Sequence, residues 1–335
     1  MEYMKCNLCK EDDTKFMFYA RDRNSREKKV FNLVKCRRCG FVYLNPRPDK
    51  EEIKKYYPPW YHYRVHTKVV TIEKTKICEI PWREVMQKKA EPILRYKKEG
   101  NILDIGCGDG SLLKYMKEMG WKTYGVELNE AASRYAREVL GLNVLSGRLE
   151  EANYPKDFFD IISLFHVLEH LPDPSGTLKK VRPFLRKNGL LLIEVPNFGS
   201  FEALVFRSKW FAIAAPVHLS HFTPRTLAIM LRNCGFIPVD LGFIPVPTKY
   251  VAGYSESLRY CLMDCGLYPP LWKRMDSRKK ESCNNFSSSS WKNPLHSMEY
   301  ITFYSAACIM DKIGLGSYLL AVASRKKLLR QQLKK

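Results

Sequence analysis

Leu103-Asp104-Ile105-Gly106-Cys107-Gly108-Asp109-Gly110 is the stretch on which the reading of this chain turns. A short apolar run carries an acid near its end and is followed at once by a G-x-G-x-G turn. The first glycine permits a tight turn, and the next ones let the backbone come close to a ligand. Glu127 closes the next apolar run, Thr123-Tyr124-Gly125-Val126. An acid at the tip of a second strand is placed to accept hydrogen bonds from both hydroxyls of a ribose. The segment therefore reads as a nucleoside-binding α/β half.

Two cofactor classes fit such a half. The dinucleotide fingerprint, G-x-G-x-x-G/A, uses its third glycine to pack helix on strand. Here Ser111 occupies that third position and the glycine arrives one residue early, at Gly110. A pyrophosphate on the helix N-terminus is correspondingly less well supported. The string instead resembles motif I of the class I S-adenosylmethionine-dependent methyltransferases, and the resemblance extends from about Asn101 to Phe243 and returns near the C-terminus.

The flanking pattern alternates strand and helix, which predicts a parallel sheet covered on both faces. Strands are expected at Asn101–Ile105, Thr123–Glu127, Asn143–Leu145, Phe159–Phe165 and Leu190–Glu194, with a sixth opening at Gly235-Phe236. Helices are expected at Trp82–Tyr96, Ser111–Met119, Glu130–Leu140 and Thr223–Cys234. The last of these has Thr223 as cap and Pro224 in its first turn. Resemblance to the family implies an antiparallel seventh strand, matched by Ser317–Ala323. The expected fold is thus α/β, a Rossmann-like seven-stranded class I methyltransferase sheet with an N-terminal zinc ribbon and a helical insertion before the last strand. The division that follows is a ribbon over residues 1–44, a linker and helical cap over 45–98, the cofactor-binding core over 99–246, an insertion over 247–315, the final core strand over 316–326 and a basic tail over 327–335.

The resemblance also implies roles. Gly106, Gly108 and Gly110 would let the methionine end of S-adenosylmethionine lie on bare backbone. Asp104 would help hold its ammonium group, Glu127 the ribose, and Leu128 would pack on the adenine. Phe165, at the tip of the fourth core strand, would sit near the methionine chain. The family often has an acid after the third strand. This chain has Gly147-Arg148 there, so the adenine-amino contact shifts to the backbone at Leu149.

Four of the seven histidines fall in two loops after the fourth and fifth core strands. These loops are Phe165-His166-Val167-Leu168-Glu169-His170-Leu171-Pro172 and Pro216-Val217-His218-Leu219-Ser220-His221-Phe222, and both are similar to strings of small-molecule and sugar-pathway methyltransferases. Methyl transfer from a sulfonium is a direct displacement, so the protein chiefly aligns nucleophile, methyl and sulfur. An acceptor that must lose a proton is served by a histidine of pKa near ~6.5. His166 is the first candidate base and His221 the second; the plainer alternative is that these histidines orient the loops. Certain quinone-pathway and small-RNA O-methyltransferases carry Glu-x-x-Glu-His here and bind a divalent ion. This chain has His166 in place of the first glutamate, which weakens the case for magnesium, an oxygen-seeking ion. Glu169-His170 is read as fixing the loop.

Cys6-x-x-Cys9 and Cys36-x-x-Cys39 are two C-x2-C knuckles, and each aims two sulfurs at one ion. The short apolar runs Phe16–Tyr19 and Val30–Val34 lie between them, joined by the polar stretch Arg21–Lys29. The four thiolates describe a zinc ribbon with a closed, structural coordination sphere. With eleven cysteines in all, the pattern suits a reducing compartment rather than a disulfide framework. Beyond the ribbon, Asp49 is expected to cap a helix, and Tyr56–Tyr63 holds five aromatics in a strap or a stacking surface.

The 335 residues carry a net charge of +21, which attracts nucleic acid, anionic lipid or phosphorylated substrates when it is focused on one face. No aromatic-basic RNA motif accompanies it. No apolar run reaches the ~18 residues of a spanning helix, and the N-terminus lacks a secretion-type apolar core, so a cytoplasmic protein is expected. The reading is a methyltransferase acting on a small-molecule or saccharide-like substrate at an O, N or C atom. A zinc ribbon ahead of such a core resembles enzymes of cell-surface polysaccharide and secondary-metabolite pathways. RNA methylation is the less favoured alternative, and a non-catalytic basic scaffold is opposed by the intact motif. The oligomeric state is not legible.

Overall fold

A computed structural model describes residues 1–23, 29–57, 82–243, 247–265, 309–310 and 312–327. Its ribbon contains β1 (Thr14–Arg21), β2 (Val30–Cys36) and β3 (Val42–Leu44). Helix α1 (Trp82–Leu94) leads into β4 (Asn101–Ile105), α2 (Ser111–Glu118), β5 (Lys122–Glu127), α3 (Glu130–Glu138) and β6 (Asn143–Ser146). Then come β7 (Phe159–Phe165), α4 (Pro174–Val181), β8 (Leu185–Pro196), α5 (Phe201–Phe206) and the two-residue β9 (Ser220–His221). The chain continues through α6 (Pro224–Asn233), β10 (Ile237–Phe243), α7 (Pro247–Asp264) and β11 (Tyr318–Ser324).

Seven strands form one sheet in the order β10-β11-β8-β7-β4-β5-β6. In terms of the core strands alone this is 6-7-5-4-1-2-3. All neighbours are parallel except β11, which runs antiparallel to both β8 and β10, as the family resemblance implied. Strands one and four match the sequence expectation residue for residue. The fifth is longer than expected. Leu185 pairs with Phe159 ahead of a bulge, and the polar residues that suggest a loop lie on an exposed strand end where Arg186 pairs with Asp160 at 3.0 Å.

The central strands are apolar on both faces because helices cover both. Side chains alternate across a strand, so adjacent residues enter different layers. Ile102, Ile161, Leu190, Leu192 and Val322 pack with Met86, Ile93, Leu112 and Met116 of α1 and α2. Leu103, Ile162, Leu191, Ile193 and Ala321 pack on the other side with Leu178, Leu227 and Leu231 of α4 and α6, and with Cys6, Leu8, Cys36 and Phe41 of the ribbon. Thr223 caps α6 in a reciprocal capping box with Thr226.

One sequence expectation, the helix after Asp49, meets a different structure, and the ribbon's sheet extends beyond its own segment. That sheet takes a fourth strand, β9, from the core, in the order β1-β2-β3-β9. Asp49 Oδ1 does accept from the Glu51 and Glu52 amides, but the element that follows is a single 3-10 turn, Glu52–Tyr56. Of the aromatic strap only Tyr56 and Tyr57 lie within the described residues, and most of the insertion lies outside them. Among the described residues no helix is long and apolar enough to cross a membrane.

Glu202, in the first turn of α5, is fully buried and accepts hydrogen bonds from Ser257 at 3.2 Å and Ser317 at 2.9 Å. It ties α5 to α7 and to the approach of β11. Burial pushes its pKa up to about 7, against the hydrogen bonds that would lower it. The folded protein therefore keeps a proton that the unfolded chain loses, from the ordinary carboxyl value of 4.5 up to about pH 7, and stability falls as pH rises through that window. Glu202→Gln should raise the denaturation midpoint above pH 7, by up to about 3 kcal/mol, and have little effect below pH 4.5. Urea titrations at pH 4.5 and 8 check this.

Candidate active site

The strand order reverses between β4 and β7, and the loops leaving their carboxyl ends diverge. This is where open α/β sheets bind ligands. The loop after β4 is built on glycines in the left-handed region, with φ of +69° at Gly106, +59° at Gly108 and +79° at Gly110. Two of them also serve the protein itself. A Cβ on Gly106 would lie 2.4 Å from Val167 Cγ2, and one on Gly110 would lie 2.6 Å from Leu142 Cδ1. Gly106 thus lets the loops after β4 and β7 touch, while Gly110 seats the start of α2 against the end of α3.

Glu127 is buried at the end of β5, where its Oε2 accepts the Gly108 amide at 2.8 Å and its Oε1 accepts the Asn129 amide at 2.7 Å. Each carboxylate oxygen retains a lone pair for a ribose hydroxyl. Leu128 beside it is 67% exposed, an apolar side chain at the rim of the cleft. Asp104 is buried and accepts from Ser163 Oγ at 2.7 Å, and burial pushes its pKa up to about 6. A cation nearby would favour its ionised form. Phe165 and Leu149 are buried at the ends of the strands that flank the crevice, Leu149 opening a 3-10 turn after β6. The structure brings the expected cofactor residues to one edge of the sheet.

The two histidine loops meet beside this crevice. His166 has φ of +60° and lies between two carboxylates, with Nε2 2.9 Å from Glu194 Oε1 and Nδ1 3.5 Å from Glu169 Oε1. His170 and His218 pack edge to face with ring centroids 4.6 Å apart. His170 Nδ1 lies 3.0 Å from the Val217 carbonyl and 2.9 Å from Tyr57 Oη, and His218 Nδ1 lies 2.8 Å from the Ala212 carbonyl. A carbonyl can only accept, so both Nδ1 atoms carry hydrogen and both Nε2 atoms are left as bare acceptors. Burial lowers the pKa of His170 to about 4 and that of His221 to about 3, the charge of His218 adding to both. Burial lowers His218 as well. His170 and His221 are neutral imidazoles at pH 7, and burial favours the neutral form of His218 as well.

Glu169 is buried and neither of its carboxylate oxygens makes a hydrogen bond. Burial pushes its pKa up, but the facing His166, His170 and His218 outweigh it and hold the carboxyl down to about 2. The Glu169 carbonyl accepts the Leu219 amide at 2.9 Å and His170 Nδ1 lies 3.0 Å from the Val217 carbonyl, so this pair joins the loop after β7 to the loop after β8. The Glu169 side chain faces His170 and His218, with one donor atom from each of the three residues within 4.8 Å of the others. Glu194 had no assigned role in the sequence; His218 stood in one of the two histidine loops and Tyr57 in the aromatic strap, and the structure supplies their partners.

Cys6, Cys9, Cys36 and Cys39 form a second donor cluster, their sulfurs within 4.8 Å of one another. Cys6 and Cys39 are 3.5 Å apart and Cys9 and Cys36 3.4 Å apart, too far for a ~2.05 Å disulfide. Four thiolates in a compact cluster suit ~2.3 Å zinc–sulfur bonds in tetrahedral geometry.

Residues 82–241 match a family model described as a methyltransferase domain. The ubiquinone biosynthesis O-methyltransferase of Azoarcus sp. (strain BH72) is 29% identical over 181 residues, covering 48% of this chain and 75% of that protein. The protein of the same name from Aeromonas salmonicida (strain A449) is 24% identical over 174 residues, covering 48% and 73%. A solved S-adenosylmethionine-dependent methyltransferase from Archaeoglobus fulgidus is 20% identical, covers 72% of this chain and 94% of its own, and superposes with a TM-score of 0.45. Sheet order, glycine loop and family match together identify residues 82–241 as a class I S-adenosylmethionine-dependent methyltransferase domain, and the protein as an enzyme.

Glu127→Ala should weaken binding of S-adenosylmethionine by about 10- to 100-fold, the loss of charge-assisted hydrogen bonds to the ribose. Isothermal titration with S-adenosylmethionine measures it, with a thermal midpoint taken alongside because the Gly108 amide also loses its acceptor.

Proposed function

We propose that the enzyme methylates a small-molecule or saccharide-like acceptor at an oxygen atom, seated against the face formed by His166, Glu169, His170 and His218. The observation that carries this reading is the convergence of two loops, after β7 and β8, on a polar cluster next to the glycine loop. The relatives named as O-methyltransferases favour oxygen over nitrogen or carbon.

Glu127 holds the ribose, Leu128 covers the adenine, and Asp104 with the bare backbone at Gly106 and Gly108 receives the methionine end. The sulfonium supplies an activated methyl group, so the gain comes from aligning acceptor oxygen, methyl and sulfur. His166 is the base. Its Nε2 lies on Glu194, its Nδ1 faces Glu169 at 3.5 Å, and the ring is about one-third exposed, so the two carboxylates would stabilise the imidazolium formed on taking the proton. His221 is buried on β9 with a strongly lowered pKa, which suits a loop-orienting role better than proton transfer.

Glu169, His170 and His218 form a set of one carboxylate and two neutral imidazoles whose Nδ1 atoms are locked on carbonyls. Such a set fits zinc, manganese or cobalt better than magnesium. An ion there would polarise the acceptor oxygen. The four-cysteine cluster is read as a structural zinc site.

Incubation with methyl-labelled cofactor and fractionated small molecules, saccharides and RNA should label an alkali-stable methyl ether in the first two fractions. Label entering RNA, with salt-sensitive binding, would replace this reading by the RNA one. His166→Ala should cut turnover by about 10²- to 10⁴-fold with cofactor affinity retained. Metal analysis of Glu169→Ala, after loading with manganese or cobalt, should show the ribbon's zinc retained and the second ion lost.

A further inference from the structure

The ribbon and the acceptor loops share a sheet. β9 pairs antiparallel with β3, Val42 opposite His221 and Tyr43 opposite Ser220. The Leu44 amide donates to the Leu219 carbonyl at 3.1 Å, and the Leu219 amide donates to the Glu169 carbonyl at 2.9 Å. The phenol of Tyr57, just beyond the ribbon, contacts His170 Nδ1 and donates to the Val217 carbonyl at 3.3 Å. Arg47 donates to the Pro172 carbonyl at 2.8 Å. Phe41 packs on Phe222 with ring centroids 5.4 Å apart. A two-residue strand has no stability of its own and holds its shape only while its partner does.

The partner in turn rests on the knuckles. Cys36 ends β2, and the Cys36 and Gly40 amides close the turn that leads into β3 by donating to Phe41 O and Cys36 O. A four-stranded sheet this small lacks the apolar area to fold unaided, so metal binding supplies its order. The cofactor side is built differently. Ile102 of β4, α2 and Ala136 of α3 pack in the layer that also contains α1, while Leu103 of β4 and Val126 of β5 face the layer that holds Cys6, Cys36 and Phe41.

We infer that the zinc ribbon is the positioning device of the acceptor half of the active site. Val42, Tyr43, Leu44 and Tyr57 are positioning residues that hold His218–His221 and His170 in register with the crevice. Metal loss disorders that half and leaves the cofactor half intact. The inference rests on the reading of the four thiolates as a zinc site.

The test uses the full chain and needs no knowledge of the acceptor. Wild type, Cys39→Ala and Cys39→His are compared by metal analysis, by hydrogen exchange of segment 217–223 and by titration with S-adenosylhomocysteine. Cys39→Ala should lose zinc and at least about tenfold of the exchange protection in 217–223. Its affinity for S-adenosylhomocysteine should stay within about threefold of wild type. Cys39→His, a standard three-cysteine, one-histidine set, should restore both zinc and protection. Tyr57→Phe should leave zinc in place and move the imidazole NMR signals of His170. Wild type purified without zinc would remove the premise. Zinc loss with segment 217–223 still protected, or with cofactor affinity lost in parallel, would overturn the inference.

Discussion

The reversal of strand order beside β4 is the constraint from which the site follows. β5 leaves on one side of β4 and β7 on the other, so helices return on opposite faces and the loops at their tips separate. Between them the chain must expose backbone amides while still packing tightly, and only glycine at 106 and 110 satisfies both demands. Glu127 then binds the glycine loop to the next strand through the Gly108 amide. The residue that would grip the ribose thus already sets the shape of the floor it faces.

Across the crevice the electrostatics are of another kind. Buried imidazoles are held neutral by desolvation and by one another, with their protons committed to carbonyls. Glu169 is left as a buried carboxylate without a hydrogen bond. Buried polar groups are ordinarily satisfied, and exceptions concentrate at functional sites. As proposed, the cofactor half would bind through backbone and one acid, while the acceptor half would present lone pairs.

The sheet was legible in the sequence because its signals are local. β4 and β7 are short apolar runs bounded by turn residues, and Thr223-Pro224 announces α6. The knuckles were legible for the same reason. What escaped was long-range. Ser220 and His221 read as loop, because nothing in two residues reveals that Val42 and Tyr43 are their partners. The polar start of β8 fell outside the expected strand Leu190–Glu194, because the ion pair of Arg186 with Asp160 joins positions far apart in the chain. The loop histidines could be nominated by type, but their tautomers depend on carbonyls that only the folded loops supply.

The place of β11 bears on how the molecule is made. It is the last strand among the described residues, yet it sits inside the sheet between β8 and β10. During synthesis β8 and β10 emerge with the slot between them vacant, and residues 244–317 must follow before it can be filled. Until then β8 presents an open, apolar edge, a surface on which nascent chains adhere to one another. Completion of the sheet therefore waits until residues 318–324 have been made, and a ribosome stalled anywhere in that interval would leave the strands of the crevice on an unfinished, adhesive scaffold.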